Sequence, residues 1–484
     1  MPILVYNTLT GKKEEFIPQE DKKIKMYVCG ITPYDTCHLG HARCYVVFDV
    51  IRRYLEYRGY QVDYIQNFTD IDDKIIKRSQ ELGVKPADLA EKYVQEFLLY
   101  SEKLNLKPPK AYPRVTQMMS QIIKMIEGLV KKGYAYESDG NVFYSVRKFA
   151  EYGKLSKRNL VGDPDKAVKS MTEEFRRIEP DERKNDPLDF ALWKASKEGE
   201  PFWVSPWGKG RPGWHIECST MSMEYLGETL DIHGGGQDLI FPHHENEIAQ
   251  SEAYTGKQFV RYWLHNGFVT INKEKMSKSL GNFFTLEEIF QKFDPLVVRY
   301  YLISQHYRSP LDFSNAQLEQ ARSAWESLID TYDFAHFIFS KKGLKYPITP
   351  AFAEASVGRQ LLNHSITKRF ELAMDDDFNT AEGLAQIFSL REEIIQRIKT
   401  QDIGSLPGLI SLYRYLIEDV LGLKLPEPLT AQKIDDSILN LLDQREKARK
   451  NNDFTLADNL RKEIENKDYL IEDTPFGPRL KKKS

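Results

Sequence analysis

His38 and His41 stand three residues apart with Gly40 between them. Residues 24–28 alternate in the manner of a strand, and apolar residues from 42 to 57 recur at helical spacing. That order makes 29–41 a strand-to-helix turn, where open α/β sheets offer free N–H groups and a positive helix end to a phosphate. Two imidazoles at such a place could donate to phosphate oxygens, or could merely cap the helix. Far downstream, Lys275 and Lys278 belong to the run Lys275-Met276-Ser277-Lys278-Ser279, with Gly281 close behind. Paired point charges on a loop suit a polyphosphate. A third set is His243 and Glu247, whose four-residue spacing puts them on one side of a helix, about one turn apart.

The elements that must position these groups alternate between strand and helix. Residues 60–67 read as a second strand, placed as a βαβ unit requires, and they end in Thr69-Asp70-Ile71-Asp72-Asp73. Those carboxylates suit Mg²⁺, but they are also what a helix over 71–82 needs at its N-terminus, and the capping reading is preferred. Residues 230–233 read as a buried strand and Gly234-Gly235-Gly236-Gln237-Asp238 as the loop at its end, where backbone can approach a nucleotide closely. The apolar runs 262–264 and 267–271 form the strand that delivers the lysine loop. Trp203, Trp207 and Trp214 crowd one glycine- and proline-rich stretch, and Trp214 is placed against a substrate because it leads directly to Cys218.

Helical spacings over 87–106 and 115–132 precede a short strand at 141–145, and the charged stretch 154–184 reads as an exposed loop. Past Asp294 the chain turns helical. Ser314 with Gln317 gives a capping signature ahead of Leu318, Ala321, Trp325, Leu328 and Tyr332, which share one face. The pattern repeats over 372–398 around Asp375-Asp376-Asp377, read as a loop leading into a helix rather than a metal site. From about 427 onward come Arg445, Lys447, Arg449 and Lys450, and then Lys481, Lys482 and Lys483, a distribution that by itself describes a solvated face.

At 484 residues the chain is too long for one core and suggests two to four domains. With 41% hydrophobic and 29% charged residues it has the composition of a soluble globular protein. No apolar run reaches membrane-spanning length and no secretory signal is visible at the N-terminus, so no membrane association and a cytoplasmic location are expected. Four cysteines, at 29, 37, 44 and 218, are too few for a disulfide framework; metal binding or plain burial fits them better. A formal net charge of −3 excludes bulk attraction to nucleic acid and leaves only local basic patches for such contacts.

The His38-Leu39-Gly40-His41 and Lys275–Ser279 runs resemble the His-Ile-Gly-His and Lys-Met-Ser-Lys-Ser signatures of class I aminoacyl-tRNA synthetases, with Leu39 replacing the isoleucine. Tyr27-Val28-Cys29-Gly30, Gly213-Trp214-His215-Ile216-Glu217-Cys218 and Phe241-Pro242-His243-His244-Glu245-Asn246-Glu247 resemble the zinc site of the cysteinyl-tRNA synthetase family. The resemblance covers nearly the whole chain. It implies an α/β architecture: a Rossmann-like catalytic domain over 1–312 with an inserted subdomain at about 87–185, a helical bundle over 313–426 and a small anticodon-binding domain over 427–484.

The implied activity is a ligation. L-cysteine and ATP give cysteinyl adenylate and pyrophosphate, and the cysteinyl group then passes to the 3′ end of tRNA(Cys). The resemblance assigns catalysis to His38, His41, Lys275 and Lys278, and ATP binding to His38, Gly40, His41, Gly235, Asp238 and Lys278. It puts Gly30, Thr69 and Trp214 around the amino acid, and a single Zn²⁺ on Cys29, Cys218, His243 and Glu247. Mg²⁺ would arrive with ATP, held mainly by phosphates and water. Phe454, Asp458 and Asp473 are the implied anticodon readers, an aromatic and carboxylates being suited to single-stranded bases. A monomer is expected from the same source.

Zinc would also account for choosing cysteine over serine, since pocket shape separates one-atom differences poorly, whereas coordination favours a thiolate over a hydroxyl. Three other readings compete. A zinc hydrolase built on His243, His244 and Glu245 lacks the His-Glu-x-x-His spacing and leaves both signatures unexplained. A binding protein with a degenerate site would not need both lysines. An enzyme joining cysteine to a sugar amine would lack the basic, helical C-terminal end.

Overall fold

A computed structural model describes residues 2–158, 181–271, 274–275, 284–344 and 364–483. Met276, Ser277, Lys278, Ser279 and Gly281 lie outside the described residues, as does most of the charged stretch expected at 154–184. The chain packs as two units, one comprising 1–318 and 372–381, the other 319–371 and 382–484.

The first unit is built on a four-stranded parallel sheet. A hairpin of β1 (Leu4–Asn7) and β2 (Lys12–Glu15) leads into β3 (Lys23–Ile31), α1 (Leu39–Tyr57) and β4 (Gln61–Phe68). The helices α2 (Asp73–Leu82), α3 (Pro86–Lys103) and α4 (Met119–Lys131) follow. An antiparallel sheet then gathers β5 (Ala135–Ser138), β6 (Asn141–Tyr144), β7 (Phe190–Ala195), β8 (Trp203–Ser205) and β9 (Gly208–Pro212) in the order β5-β6-β7-β9-β8. The chain returns through α5 (Trp214–Leu226), β10 (Leu230–Gly236), α6 (Glu245–Thr255) and β11 (Val260–Asn266). The parallel sheet has the order β11-β10-β3-β4.

This order contains a reversal. From β3 the chain crosses to β4 on one side, and β10 and β11 are later added on the other, so the switch point lies between β3 and β10. Crevices at such points, beyond the carboxyl ends of the strands, are where α/β sheets take ligands. Every strand of this sheet ends in a residue of interest: Cys29 and Gly30 on β3, Thr69 just past β4, Gly235 on β10 and His265 on β11.

Two expectations need correction. The insertion was placed at about 87–185, but β6 pairs with β7 and β7 with β9, so the antiparallel sheet runs on to Pro212 and a boundary at 185 would cut it in two. Gly234, Gly235 and Gly236 are strand rather than loop, paired in register with Leu264, His265 and Asn266. Their lack of side chains serves packing: a Cβ on Gly234 would lie 2.3 Å from the Phe48 ring, and one on Gly235 would lie 2.9 Å from His244 and Leu239.

Beyond β11, a three-stranded sheet has the order β13-β12-β14, with β12 (Val269–Ile271), β13 (Glu274–Lys275) and β14 (Leu311–Asp312). The helices α7 (Leu286–Phe290) and α8 (Pro295–Ile303) connect β13 to β14. The second unit is helical. Its elements are α9 (Asn315–Lys342, whose first residues belong to the first unit), α10 (Ser365–Asp375) and α11 (Thr380–Lys399), which also straddle the division, and α12 (Leu406–Arg414). Near its end, α13 (Asp436–Lys450) and α14 (Phe454–Glu465) meet the hairpin of β15 (Tyr469–Thr474) and β16 (Gly477–Lys482). Leu429, Ile438, Ile464, Ile471 and Leu480 give these last elements a small apolar core of their own.

Candidate active site and metal centre

The helix α1 forms because Ala42, Val46, Val47, Val50, Ile51, Tyr54 and Leu55 recur at helical spacing and are buried. His38 caps it: its Nδ1 accepts from the backbone N–H of Gly40 at 3.1 Å and of His41 at 3.4 Å. His41 replies, its Nδ1 accepting from the His38 N–H at 3.4 Å, and the two rings stack with centroids 3.7 Å apart. Capping and donation to phosphate therefore do not compete. A neutral ring that accepts at Nδ1 carries its proton on Nε2, so the cap fixes the tautomer that donates.

The second cluster lies at the same sheet edge. Cys29 lies near the carboxyl end of β3, Cys218 sits on α5, and His243 stands in the turn before α6, whose first turn holds Glu247. All four are at most 5% exposed. The sulfurs are 3.7 Å apart, Cys29 Sγ is 3.6 Å from Glu247 Oε1, and His243 Nε2 is 3.0 Å from the same oxygen. Tetrahedral zinc with bonds of about 2.3 Å to sulfur and about 2.0–2.1 Å to nitrogen and oxygen needs edges of about 3.8, 3.6 and 3.3 Å for these pairs. Edge lengths and soft donor chemistry both fit zinc.

Charge agrees with this. The Cys29 thiol donates to Cys218, and that bond leads in pulling Cys218 down to about 6, against burial. Burial and then Cys218 push Cys29 up. Burial opposes a charged His243, but Glu247 outweighs it and holds the imidazole at about 10, while His233 and His243 bring Glu247 to about 2 despite burial. Among the described residues no Lys or Arg forms an ion pair with Glu247.

A second set of four, Cys29, His233, His244 and Glu247, is also close enough to share an ion. Its His244 Nε2 to Glu247 Oε1 edge is 4.0 Å, too long for that tetrahedron, so these histidines are read as supports. His233 Nε2 lies 2.9 Å from Glu247 Oε2. His244 Nε2 is 3.4 Å from Cys29 Sγ, its Nδ1 is 2.8 Å from His265 Nε2, and His265 Nδ1 is 2.8 Å from Thr8 Oγ1. His215 Nδ1 lies 2.9 Å from His243 Nδ1. His215, His233, His265 and Thr8 are not singled out by the sequence, and His244 is named there only in the hydrolase reading, not as a partner of Cys29.

Asn67 was missed too. Its Oδ1 accepts from the Gly30 N–H at 2.8 Å, and its Nδ2 lies 3.4 Å from Thr69 Oγ1. Gly30 must be glycine, since a Cβ there would overlap the Asn67 carbonyl oxygen at 1.5 Å. Thr69 is buried and donates to Glu217, whose carboxyl burial pushes well above the usual range. Trp214 is 36% exposed and stacks on His243 at 4.1 Å, so it borders the cluster. Asp238 follows β10 and is half-buried.

The acidic residues behave as helix-capping and structural groups. Asp72 caps α2 through the Lys74 N–H, Asp70 accepts from Thr116, and Asp73 pairs with Lys194 and Arg211. Glu245 faces away from the metal candidate, accepting from the N–H groups of Gly153, Leu155 and Ser156, which removes it as the base of a zinc hydrolase.

Residues 15–323 match the family model for the class I (C) tRNA synthetase catalytic domain, and 369–426 match the DALR domain. A cysteine–tRNA ligase of Endomicrobium trichonymphae is 51% identical over 484 residues, 99% of each chain. The chain belongs to the cysteine–tRNA ligase family. Another member, from Anoxybacillus flavithermus, is 48% identical across 100% of each chain. Among solved structures, Mycobacterium tuberculosis methionyl-tRNA synthetase in complex with methionyl-adenylate superposes with TM-score 0.61 at 16% identity, covering 83% of this chain and 92% of that one. A LeuRS–tRNA–LeuAMS ternary complex from Agrobacterium radiobacter K84 gives TM-score 0.61 at 13% identity over 84% and 85%. The class I synthetase fold of this family member is thereby established. Among the described residues no helix is long and apolar enough to cross a membrane.

Proposed function

We propose that this family member charges tRNA(Cys) with L-cysteine, taking the substrate as its thiolate on zinc. The observation that supports this most is the buried Cys29, Cys218, His243 and Glu247 cluster beside the turn that carries His38 and His41. Zinc held there would bind the side chain of cysteine as a thiolate and discriminate against the harder, less acidic serine hydroxyl.

The chain's own residues do the rest by position. A carboxylate oxygen of cysteine attacks the α-phosphorus of ATP, the bond to the bridging oxygen breaks, and pyrophosphate leaves with its electron pair. The ribose hydroxyl at the tRNA end then attacks the activated carbonyl, and AMP departs. His38 and His41 donate from Nε2 to phosphate oxygens at the N-terminus of α1. Gly40 and Gly235 let nucleotide and backbone approach, and Asp238 at the switch point takes the adenosine side. Lys275 and Lys278 neutralise the departing pyrophosphate. Gly30 and Thr69, both held by Asn67, face the amino acid with Trp214 as a wall. Mg²⁺ comes with ATP.

Domain roles follow: catalysis over 1–312 with the insertion running to Pro212, tRNA binding over 313–426, and anticodon reading over 427–484. Phe454, 60% exposed, and Asp458, one turn on along α14, are suited to meet bases. Asp473 is less suited, because Arg445, Arg449 and Arg461 already occupy its carboxylate. A monomer in the cytoplasm completes the reading.

The test is pyrophosphate exchange into ATP on zinc-assayed protein, with cysteine and serine side by side. Exchange with cysteine alone is expected, and Cys218→Ser should lower both it and zinc content by at least about 100-fold, beyond the 10–100-fold usual for outer partners. Equal exchange with serine would overturn the selection mechanism. No exchange on zinc-loaded protein would overturn the activity.

A further inference from the structure

Two residues past His41, α1 carries Arg43, which is 0% exposed. Among the described residues no carboxylate lies within ion-pair distance of it. Its guanidinium is held by carbonyls alone: Nη1 donates to Phe268 O at 3.2 Å, and Nη2 donates to Tyr307 O at 3.2 Å, to His306 O at 3.5 Å and to Ser309 O. Burial lowers its pKa to about 10, so it is still a cation at neutral pH. Burying a charge without a counter-ion is unfavourable by several kcal/mol, and an apolar side chain of similar volume would fill the same space more easily. What an arginine adds is direction, because its planar fork fixes several acceptors at once.

The acceptors are informative. Phe268 immediately precedes β12, whose Thr270 pairs with Lys275 on β13. Ser309 lies two residues before β14, which pairs in parallel with β12. The two segments touch directly under the guanidinium: Gly267 N–H donates to Tyr307 O at 2.8 Å, and a Cβ on Gly267 would lie 2.6 Å from the carbonyl oxygens of Arg308 and Ser309. On the far side of the lysine run, Leu286 N–H donates to Cys37 O at 2.9 Å and Leu39 N–H to Phe284 O at 3.4 Å. The segment holding the lysines is thus tied to the start of α1 by backbone at its end and by one side chain at its beginning.

We propose that Arg43 is a positioning residue for adenylate formation, setting the strand that delivers Lys275 against the helix that presents His38 and His41. The inference rests on the proposed use of those residues in ATP activation. A purely structural arginine would make a different prediction: its loss would weaken the fold without linking the two signatures energetically.

The experiment is a double-mutant cycle in cysteine-dependent pyrophosphate exchange, using Arg43→Met, Lys275→Ala and the pair in the full-length chain. Arg43→Met is expected to lower the ATP-dependent kcat/KM by about 100-fold, the size of loss that a misplacement of about 1 Å at a reacting centre can cause. Zinc content and the KM for cysteine should stay as in the parent. The pair should be little worse than the worse single variant, because a misplaced lysine has nothing left to lose. Losses that multiply, or a raised KM for cysteine, would overturn the proposal. Should Arg43→Met fail to fold, Arg43→Lys takes its place in the same cycle, keeping charge but losing the fork. If the parent itself shows no exchange, it is the proposed function that has failed, a result distinct from multiplying losses in an active parent.

Discussion

Two places in the first unit concentrate ionisable side chains, and only one is read as a metal centre. At Asp375, Asp376 and Asp377 three carboxylates follow one another, and each has met a cation. Asp375 takes Arg58 and the Tyr54 hydroxyl, Asp376 takes Lys13, and Asp377 takes Arg308, the Tyr307 hydroxyl and the Tyr6 N–H. Cys29, Cys218, His243 and Glu247 instead interact chiefly with one another and with further histidines. The difference teaches that density of carboxylates is a poor guide to metal binding. Donors that neighbouring lysines and arginines have already neutralised are structural. Buried donors that face one another and further histidines, with no lysine or arginine paired to them among the described residues, have the chemistry to hold an ion.

The comparison breaks if the two clusters respond alike to losing their central carboxylate. Glu247→Ala should abolish stoichiometric zinc and exchange activity. Asp377→Ala leaves the Tyr307 hydroxyl and the Tyr6 N–H without their acceptor, while Arg308, 31% exposed, is reached by solvent, so it should reduce unfolding stability by about 1–3 kcal/mol while a folded fraction keeps its zinc. Denaturant unfolding alongside zinc assay separates the cases. Zinc lost from Asp377→Ala, or retained by Glu247→Ala, would abolish the distinction.

The next effect concerns protons. In the metal-free protein His243 is held at about 10, above the usual 6.5, so its pairing with Glu247 stabilises the fold fully below 6.5 and is lost as pH rises through about 10. Glu247, at about 2, contributes above its usual 4.5 and loses that contribution as pH falls toward 2. Metal-free stability from this pair is therefore greatest between about 4.5 and 6.5. Zinc bound by these four residues would displace the protons of His243 and Cys29, while Cys218 is already a thiolate above about 6. Zinc affinity should rise by about 100-fold per pH unit between 7 and 8, two protons leaving per ion. Calorimetry in buffers of different ionisation enthalpy counts them, and no proton release would contradict the ligand set.

Much of this site was legible in sequence because it depends on local spacing. His38 and His41 at a strand-to-helix turn, and His243 with Glu247 four apart, are patterns that a helix enforces on its own. The supporting residues were not legible. Asn67, His265 and Thr8 act through the pairing of distant strands, and Arg43 through carbonyl groups, which leave no trace in residue types. The glycine run at 234–236 was misread for a related reason. Three glycines signal a turn locally, whereas here the neighbours Phe48 and His244, brought in by other elements, require them within a strand.

The smallest expected effect contrasts the outermost members of the two clusters. His265 touches no candidate ligand; it holds His244, which holds Cys29. His265→Leu removes the partner of His244 Nδ1, so the imidazole facing the Cys29 sulfur loses its orientation, and zinc affinity should fall about tenfold. Around the acidic triplet the outermost partner is Lys13, whose bond to Asp376 lies at the surface with the two side chains 39% and 53% exposed. Lys13→Ala should alter stability by less than about 1 kcal/mol, because solvent screens such pairs. Competition with a chromophoric chelator measures the first and thermal unfolding the second. Equal zinc affinity in His265→Leu and the parent would mean that Cys29 is oriented by the ion alone, and that the histidines behind it serve packing.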